Sequence, residues 1–121
     1  MKESKKRILC VEDHSDICEL ITTVLSDYEV IGSYSKADAL VRATTESFDL
    51  YLIDYHLPDG TGIELCLLIR SFDRDTPIFF CTGTSSINTT TIETAGAQQL
   101  IKKGAELIPS LKKAVSDVFK N

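Results

Sequence analysis

Residues 49–62 read DLYLIDYHLPDGTG, and this stretch decides the fold. Its first part, Leu50–Ile53, is a short apolar run of the kind found in strands that are buried on both faces. The run stops at the carboxylate of Asp54, after which one proline and two glycines make a loop. Open α/β sheets bind their ligands at the carboxyl ends of the strands. We therefore expect Asp54 to lie at the centre of a functional site.

On both sides of this stretch, short apolar runs alternate with segments in which apolar residues recur at helical spacing. The expected strands cover residues 7–11, 29–34, 50–54, 77–81 and 98–101. The expected helices begin near residues 15, 35, 62, 85 and 106. Helical connections between successive strands imply parallel pairing and right-handed crossovers. The sequence therefore predicts one doubly wound α/β domain over residues 1–121, with a five-stranded parallel sheet.

Residues that favour helix ends flank the expected helices. They are Ser15, with His14 as the weaker choice, the pairs Ser35/Asp38 and Thr61/Glu64, Ser85 or Ser86, and Gly96. The apolar spacing also predicts which face of each helix is buried. For the second and third helices the predicted buried residues are Ala37, Leu40, Val41, Thr44, Ile63, Cys66, Leu67 and Ile69.

Composition argues against several classes of function. The formal net charge of −5 argues against broad binding to nucleic acid, which needs a basic face. No apolar run approaches the ~20 residues needed to cross a bilayer, so we expect a cytoplasmic protein without a membrane partner. The four cysteines form no CxxC pair or zinc-type spacing. We interpret them as reduced, hydrophobic side chains, with Cys18 the most exposed.

Five polar side chains follow the predicted strands at one edge of the sheet. They are Glu12, Asp13, Asp54, Thr82 and Lys103. Clustered carboxylates repel one another unless a cation neutralises them, and oxygen ligands without Cys or His suit Mg²⁺. Polar residues also collect in loops without any function, but this alternative does not explain why the charges at one edge complement each other. The sequence therefore predicts a magnesium site at Asp54, with a hydroxyl and an amine beside it.

These residues and their spacing resemble those of response-regulator receiver domains over nearly the whole chain. The matching positions are 12–13, 54, 57–62, 82–83, 96–97 and 103. Each short motif alone is a weak signal, whereas the spaced set is highly specific. The resemblance implies a flavodoxin-like (βα)5 fold with the strand order 2-1-3-4-5.

The resemblance also implies how the acidic residues act. Asp54 matches the residue that accepts a phosphoryl group. Glu12 and Asp13 match the acidic pair that holds Mg²⁺ together with Asp54, and the backbone carbonyl of His56 matches the remaining protein ligand. Phosphoryl transfer to a carboxylate needs such a cation, because both reacting groups are anionic.

The remaining site residues match a switch. Thr82 corresponds to the hydroxyl that moves onto the phosphoryl group, and Lys103 to the amine that pairs with it. Such a protein catalyses only its own phosphorylation and dephosphorylation, and is not an enzyme in the usual sense. The implied phosphodonor is a histidine kinase or a histidine phosphotransfer protein. The implied output partner, a downstream protein or an output domain, binds the face of the fourth helix, fifth strand and last helix, and no direct nucleic-acid partner is implied.

The sequence departs from the receiver pattern at three places. Leu100 stands where the family usually has an aromatic residue that swings behind the switch hydroxyl. Gly104 stands where the family usually has a proline after a cis peptide bond, so we expect a trans Lys103–Gly104 bond. The segment from Thr82 to Gly96 is one residue short and rich in threonine, which predicts a short or irregular fourth helix.

Two other functions are compatible with parts of the sequence. A receiver-fold interaction module with weak or no phosphorylation-dependent switching would explain Leu100 and Gly104. An aspartate-nucleophile phosphohydrolase of the haloacid-dehalogenase type needs a second acid two residues after the nucleophile. In this sequence a histidine, His56, occupies that position instead. The complete polar set opposes the first alternative and His56 opposes the second, so the phospho-accepting receiver is the leading hypothesis.

Overall fold

The computed structural model describes residues 5–83 and 87–120 of the 121-residue chain. Its strands are β1 (Arg7–Val11), β2 (Glu29–Ser33), β3 (Leu50–Ile53), β4 (His56–Leu57), β5 (Gly60–Thr61), β6 (Ile78–Thr82) and β7 (Gln99–Lys102). Five of them form a parallel sheet in the order β2-β1-β3-β6-β7, which confirms the predicted fold and strand order. The short strands β4 and β5 pair antiparallel with each other in the loop after β3, and the sequence did not predict this hairpin.

Five helices connect or follow the strands of the sheet in the described part of the chain. They are α1 (Ser15–Val24), α2 (Lys36–Thr45), α3 (Gly62–Arg70), α4 (Thr89–Ala95) and α5 (Leu107–Val118). Buried residues of α1 and α5 pack on one face of the sheet, and those of α2, α3 and α4 pack on the other. No helix among the described residues is long and apolar enough to cross a membrane.

The central strand β3 is buried on both faces of the sheet. Leu50 and Leu52 belong to the core under α1 and α5, whereas Tyr51 and Ile53 belong to the core under α2, α3 and α4. Each of these four side chains is at most 1% exposed. This explains why the run has no polar alternation, and it carries the next residue, Asp54, to a buried position.

The loop after β3 is held at both ends by hydrogen bonds. The Thr61 hydroxyl accepts from the Glu64 N–H at 3.2 Å, and the Glu64 carboxylate accepts from the Thr61 N–H at 2.8 Å, which confirms this capping box. The Asp59 carboxylate accepts from the N–H groups of Lys36 and Ala37 at 2.7 and 2.9 Å. The loop is therefore tied both to α3 and to the start of α2.

The predicted buried face of α2 was wrong. Its residues against the sheet are Ala39 and Ala43, whereas Val41 is 60% exposed and Leu40 is only partly buried. Ala37 and Thr44, also predicted to be buried, are exposed. Alanines four residues apart lie on the same face of a helix, so this face packs against the sheet and Val41 is left exposed.

Two further burial predictions were wrong. In α3, Leu67 is 54% exposed because Leu65, Cys66 and Ile69 already fill the space against the sheet. Cys18, predicted to be the most exposed cysteine, is only 4% exposed because it lies on the face of α1 that packs against β1 and β2.

The helix caps follow the predictions in part. His14 and not Ser15 is the N-cap of α1, and its side chain makes no capping hydrogen bond. Asn88 caps α4 by accepting from the Thr91 N–H at 2.9 Å, so the helix begins later than predicted. Ser85 and Ser86 lie outside the described residues. Gly96 ends α4 with a φ of 102°, a left-handed conformation that favours glycine and confirms the predicted C-terminal cap.

The Ser35/Asp38 pair forms only half of a capping box. The Ser35 hydroxyl accepts from the Asp38 N–H at 3.1 Å. The Asp38 carboxylate accepts instead from the Ser33 hydroxyl at 2.6 Å and from Arg42 Nε at 3.1 Å. These two donors replace the backbone N–H that a full capping box would use.

Gly62 is the first residue of α3 and lies against the end of β3, so a substitution there tests how closely the two elements pack. A β-carbon at this position would overlap the backbone carbonyl of Asp54, and it would lie 2.8 Å from the Phe80 ring and 2.9 Å from Ile53. Because the backbone oxygen cannot rotate away, we expect Gly62→Ala to lower the free energy of unfolding by about 2 kcal/mol. Urea denaturation followed by circular dichroism measures this change.

Gly83→Ala is the matched control for this substitution. The nearest atom to a β-carbon at Gly83 would be Lys103 Cβ at 3.9 Å, which is an ordinary van der Waals contact. Equal losses of stability in the two variants would contradict the steric explanation.

Candidate functional site

Four strands of the sheet bring the five predicted polar residues to one edge. Glu12 and Asp13 follow β1, Asp54 follows β3, Thr82 ends β6 and Lys103 follows β7. Glu12, Asp54 and Thr82 are among the few buried polar residues, at 2%, 6% and 1% exposure. Burying polar and charged groups costs free energy unless they find partners. The burial of these three residues therefore depends on partners at this edge of the sheet.

Lys103 joins the two buried carboxylates. Its Nζ lies 2.6 Å from Glu12 Oε2 and 3.4 Å from Asp54 Oδ2. The other carboxylate oxygen of Asp54, Oδ1, accepts from the Tyr55 N–H at 2.8 Å. One ammonium group cannot neutralise two carboxylates, so this pocket retains excess negative charge when all three groups are ionised.

The pKa values of these groups reflect the same imbalance. Burial raises the pKa of the Asp54 carboxyl, the Glu12 carboxylate raises it further, and Lys103 lowers it only in part. Burial lowers the pKa of the Lys103 ammonium, but the hydrogen bond to Glu12 and the charge of Asp54 outweigh this effect, so the pKa is raised. A second cation near Asp54 would therefore stabilise its ionised form.

Asp13 and His14 form the solvent side of the site. His14 Nδ1 is 3.0 Å from both Glu12 Oε1 and Asp13 Oδ1, and these two carboxylates raise the pKa of the imidazole. Glu12, Asp13 and His14 are also the one group of three possible ligand atoms within 4.8 Å of one another among the described residues. The sequence prediction missed this contact of His14, although a histidine next to two acids at a helix start was a usable signal.

Thr82 and Lys103 are fixed relative to each other by the sheet. The Lys103 N–H donates to the Thr82 carbonyl at 3.0 Å, which continues the pairing of β6 with β7. Thr82 is buried in the same region, at 1% exposure, and is not without an interaction partner. The ends of β6 and β7 therefore hold Thr82 and Lys103 side by side, and Lys103 Nζ lies 3.4 Å from Asp54 Oδ2.

The places where the sequence departs from the receiver pattern have clear structural counterparts. Leu100 pairs with Phe80 in the sheet and packs half-buried against the core under α2, α3 and α4. No cis peptide bond occurs in the described residues, which agrees with the predicted trans Lys103–Gly104 bond. Gly104 has a φ of 155°, and no atom lies within 4 Å of the position that a β-carbon would occupy. Helix α4 has only 7 residues, as its short, threonine-rich segment predicted.

His56 is the remaining predicted ligand. It lies in β4, two residues after Asp54, with an exposed side chain, and it pairs with Thr61 in β5. The hairpin thus begins only three residues after the last residue of β3. Its carbonyl as a metal ligand stays a prediction.

The fold and the site define a class of signalling protein. A family model described as the response regulator receiver domain matches residues 8–115. The chain belongs to this family, whose members are receiver domains of two-component response regulators.

Individual relatives agree with this assignment. The chain is 36% identical over 81 residues to the transcriptional regulatory protein DltR of Streptococcus agalactiae serotype III (strain NEM316), covering 65% of this chain and 36% of that protein. It is 32% identical over 104 residues to the response regulator protein PilR of Pseudomonas aeruginosa, covering 84% of this chain and 22% of that protein. The chain thus spans only a minor part of these longer relatives.

Solved structures have the same fold. A CheY-like receiver domain protein of Methanospirillum hungatei JF-1 is 29% identical, with a TM-score of 0.85 over 95% of this chain and 94% of that one. The response regulator TrrA of Thermotoga maritima, solved in complex with Mg(2+)-BeF, is 27% identical, with a TM-score of 0.85 over 94% of this chain and 99% of that one.

The raised pKa of Asp54 predicts a stability change that depends on pH. The folded protein holds the Asp54 proton to a higher pH than the unfolded chain does, so ionisation lowers the stability as the pH rises above about 4. We expect Asp54→Asn to have a larger free energy of unfolding than the wild type at pH 7 without divalent cations. The difference should shrink as the pH falls below about 4. Urea denaturation at both pH values, with a chelator present, measures it.

Asp59→Asn is a control of opposite sign. Hydrogen bonds from the N–H groups of Lys36 and Ala37 lower the pKa of Asp59, so its contribution to stability is present at neutral pH and is lost as the pH falls through its folded-state pKa. We expect this variant to be less stable than the wild type at pH 7. A stability difference for Asp54→Asn that does not vary with pH would contradict the assignment of the raised pKa.

Proposed function

We propose that this protein accepts a phosphoryl group on Asp54 and relays its charge to a protein partner. The observation that carries the proposal is the buried pair of carboxylates, Glu12 and Asp54, which share the single ammonium of Lys103. A purely structural ion pair would match charges one to one. The excess negative charge instead suits a site that binds a divalent cation, which would also offset the charge of an incoming phosphoryl group.

The donor set fits Mg²⁺. Glu12, Asp13 and Asp54 offer carboxylate oxygens, which Mg²⁺ prefers, and the His56 carbonyl would be the fourth protein ligand. Bound there, the ion would reduce the repulsion between Asp54 and an anionic phosphoryl group. The similar receiver TrrA was solved in complex with Mg(2+)-BeF, which supports this choice of cation.

The protein groups would then act on the transferred phosphoryl. A carboxylate oxygen of Asp54 forms a bond to phosphorus as the bond from phosphorus to the nitrogen of the donor histidine breaks. The donor ring, protonated on its other nitrogen, keeps the electron pair of the broken bond and leaves as a neutral imidazole. Lys103 Nζ, only 3.4 Å from Asp54, pairs with one phosphoryl oxygen. The Thr82 hydroxyl donates to another, and its inward movement is the step that changes the surface around Leu100.

The partners follow from this chemistry. The donor is a phosphohistidine on a histidine kinase or a histidine phosphotransfer protein, which would act in the cytoplasm. The output partner, a protein or a linked domain, binds the face formed by α4, β7 and α5, because Thr82 and Lys103 reach that side through β6 and β7.

The similar protein MtrA of Mycolicibacterium smegmatis is called DNA-binding, and this chain covers 46% of it. We assign no nucleic-acid contact to the residues of this chain, whose formal net charge is −5.

A receiver-fold interaction module with little switching is the second candidate. Leu100 has no aromatic ring to swing behind Thr82, and Gly104 leaves the chain after Lys103 without the usual proline. Both features would weaken the link between Asp54 and the output face. The acceptor site itself is the same in the two candidates.

Phosphorylation tests the acceptor site directly. We expect incubation with acetyl phosphate and Mg²⁺ to increase the intact mass of the protein by one phosphoryl group. The gain should be absent in Asp54→Asn and in the presence of EDTA, because the acceptor or the cation is then missing. No gain at any concentration of Mg²⁺ would sink the proposal, and steady phosphate release from unrelated monoesters would identify a hydrolase instead.

Thr82 separates the switch from the passive module. We expect Thr82→Ala to be phosphorylated to a similar extent as the wild type, but to lose the changes in amide chemical shift that phosphorylation causes in β7 and α5. Thr82→Ser keeps the hydroxyl and should retain those changes. If phosphorylation of the wild type leaves β7 and α5 unchanged, the protein is the passive module.

A further inference from the structure

His14 lies beside the acidic pair of the proposed metal site, and the proposed function gives it no role. It precedes the first residue of α1, and its side chain is 66% exposed. Its Nδ1 atom is 3.0 Å from Glu12 Oε1 and 3.0 Å from Asp13 Oδ1. One nitrogen and two carboxylate oxygens therefore converge on one point at the solvent side of the site.

Glu12 can serve this group and Lys103 at the same time. Its Oε2 atom accepts from Lys103 Nζ at 2.6 Å, whereas its Oε1 atom lies beside the His14 imidazole. The backbone N–H of His14 also donates to Oε1, at 3.3 Å, which helps to fix this oxygen. An ion held by Oε1 would therefore leave the ion pair of Glu12 with Lys103 intact.

The spacing of the three ligand atoms suits a coordination shell. A divalent ion with bonds of about 2.1 Å holds neighbouring ligand atoms about 3.0 Å apart in a six-coordinate shell and about 3.3 Å apart in a tetrahedral one. His14 Nδ1 already lies 3.0 Å from each of the two carboxylate oxygens. The ion would take the place of the proton through which Nδ1 contacts them, so the side chains would move little.

The group can be reached from solvent. Residues 13–17 line a surface hollow of about 480 Å³, and this lining includes Asp13 and His14. Glu12, which is only 2% exposed, forms the buried side of the group. A hydrated ion can therefore reach all three residues and keep some of its water molecules.

We propose that His14 is a metal ligand that makes the Glu12–Asp13 pair prefer a first-row divalent ion such as Zn²⁺ to Mg²⁺. Imidazole nitrogen suits Zn²⁺, Ni²⁺ and Cu²⁺, whereas Mg²⁺ prefers oxygen ligands. The two carboxylates attract either ion, but only the first-row ion gains from the nitrogen. His14 is thus the residue that sets the selectivity between the two.

The inference has a consequence for the reaction at Asp54, and that consequence rests on the proposed function. An ion held between His14 and Asp13 would compete with Mg²⁺ for Asp13. Phosphorylation at a given concentration of Mg²⁺ would then be slower in the presence of Zn²⁺. Binding of Zn²⁺ itself needs only the three ligand residues and no phosphoryl transfer.

Calorimetric titration of the whole chain with Zn²⁺ and with Mg²⁺, in one buffer, tests the selectivity. His14→Asn is the informative variant, because asparagine is a good N-cap for α1 but lacks the imidazole nitrogen. We expect its affinity for Zn²⁺ to fall about tenfold or more, while its affinity for Mg²⁺ changes by less than about threefold. In the wild type, the Nδ1 resonance of His14 should shift with Zn²⁺ and not with Mg²⁺. Urea denaturation without metal checks that the variant keeps its fold.

Asp16→Asn is the matched control for charge. Asp16 is an exposed carboxylate two residues after His14, and it is not one of the three ligands. We expect the affinity of this variant for Zn²⁺ to stay within about threefold of the wild type, because the loss of a single exposed charge has a small, screened effect. Equal losses in Asp16→Asn and His14→Asn would overturn the proposal. So would Zn²⁺ binding that is the same in His14→Asn and the wild type, because the ion would then lie elsewhere in the chain.

Phosphorylation with acetyl phosphate and Mg²⁺ separates this inference from the proposed function. We expect added Zn²⁺ to slow the mass gain of the wild type about tenfold more than that of His14→Asn. If neither protein is phosphorylated but Zn²⁺ binding still depends on His14, the proposed function fails and the role of His14 stands. If both are phosphorylated and Zn²⁺ binding does not depend on His14, the role of His14 fails alone.

Discussion

The candidate site is organised around a charge imbalance at one edge of the sheet. Lys103 contacts two buried carboxylates, Glu12 at 2.6 Å and Asp54 at 3.4 Å, and these three groups together remain negative when ionised. Such an arrangement is unfavourable for stability alone, because a buried charge needs a full set of partners. Under the proposed function, a divalent cation bound beside Asp54 would offset this excess charge. The proposed chemistry and the raised pKa of Asp54 therefore have the same origin.

The fold creates this imbalance through strand burial. Because β3 is covered on both faces, the chain leaves it into a dry region, and Asp54 is only 6% exposed. Strand β1, beside β3, and strand β7, on the far side of β6, bring Glu12 and Lys103 to the same edge. The hairpin of β4 and β5 then follows, and Asp59 in its turn accepts hydrogen bonds from the N–H groups at the start of α2. The site is thus a consequence of parallel pairing in this strand order.

The sequence predicted the features that are set by short, continuous apolar runs and by charge, and it failed for features that depend on packing between elements. The strands, their order and the convergence of Asp54 with Glu12 and Lys103 followed from the pattern and the family resemblance. The buried face of α2 did not, because the closeness of Ala39 to the sheet depends on its tertiary neighbours. The burial of Cys18 was also missed, since spacing along the chain does not reveal which side chains are covered where α1 packs on the sheet.

Mg²⁺-dependent stability tests the central claim most directly, because a cation that relieves the imbalance must bind the folded state preferentially. The free energy of unfolding should rise with the concentration of Mg²⁺, reaching about 2.7 kcal/mol of added stability at one hundred times the dissociation constant. In Asp13→Asn and Asp54→Asn the rise should begin at higher concentrations, because each variant removes one anionic ligand. A wild-type stability that does not change with Mg²⁺, at constant ionic strength, would contradict the account.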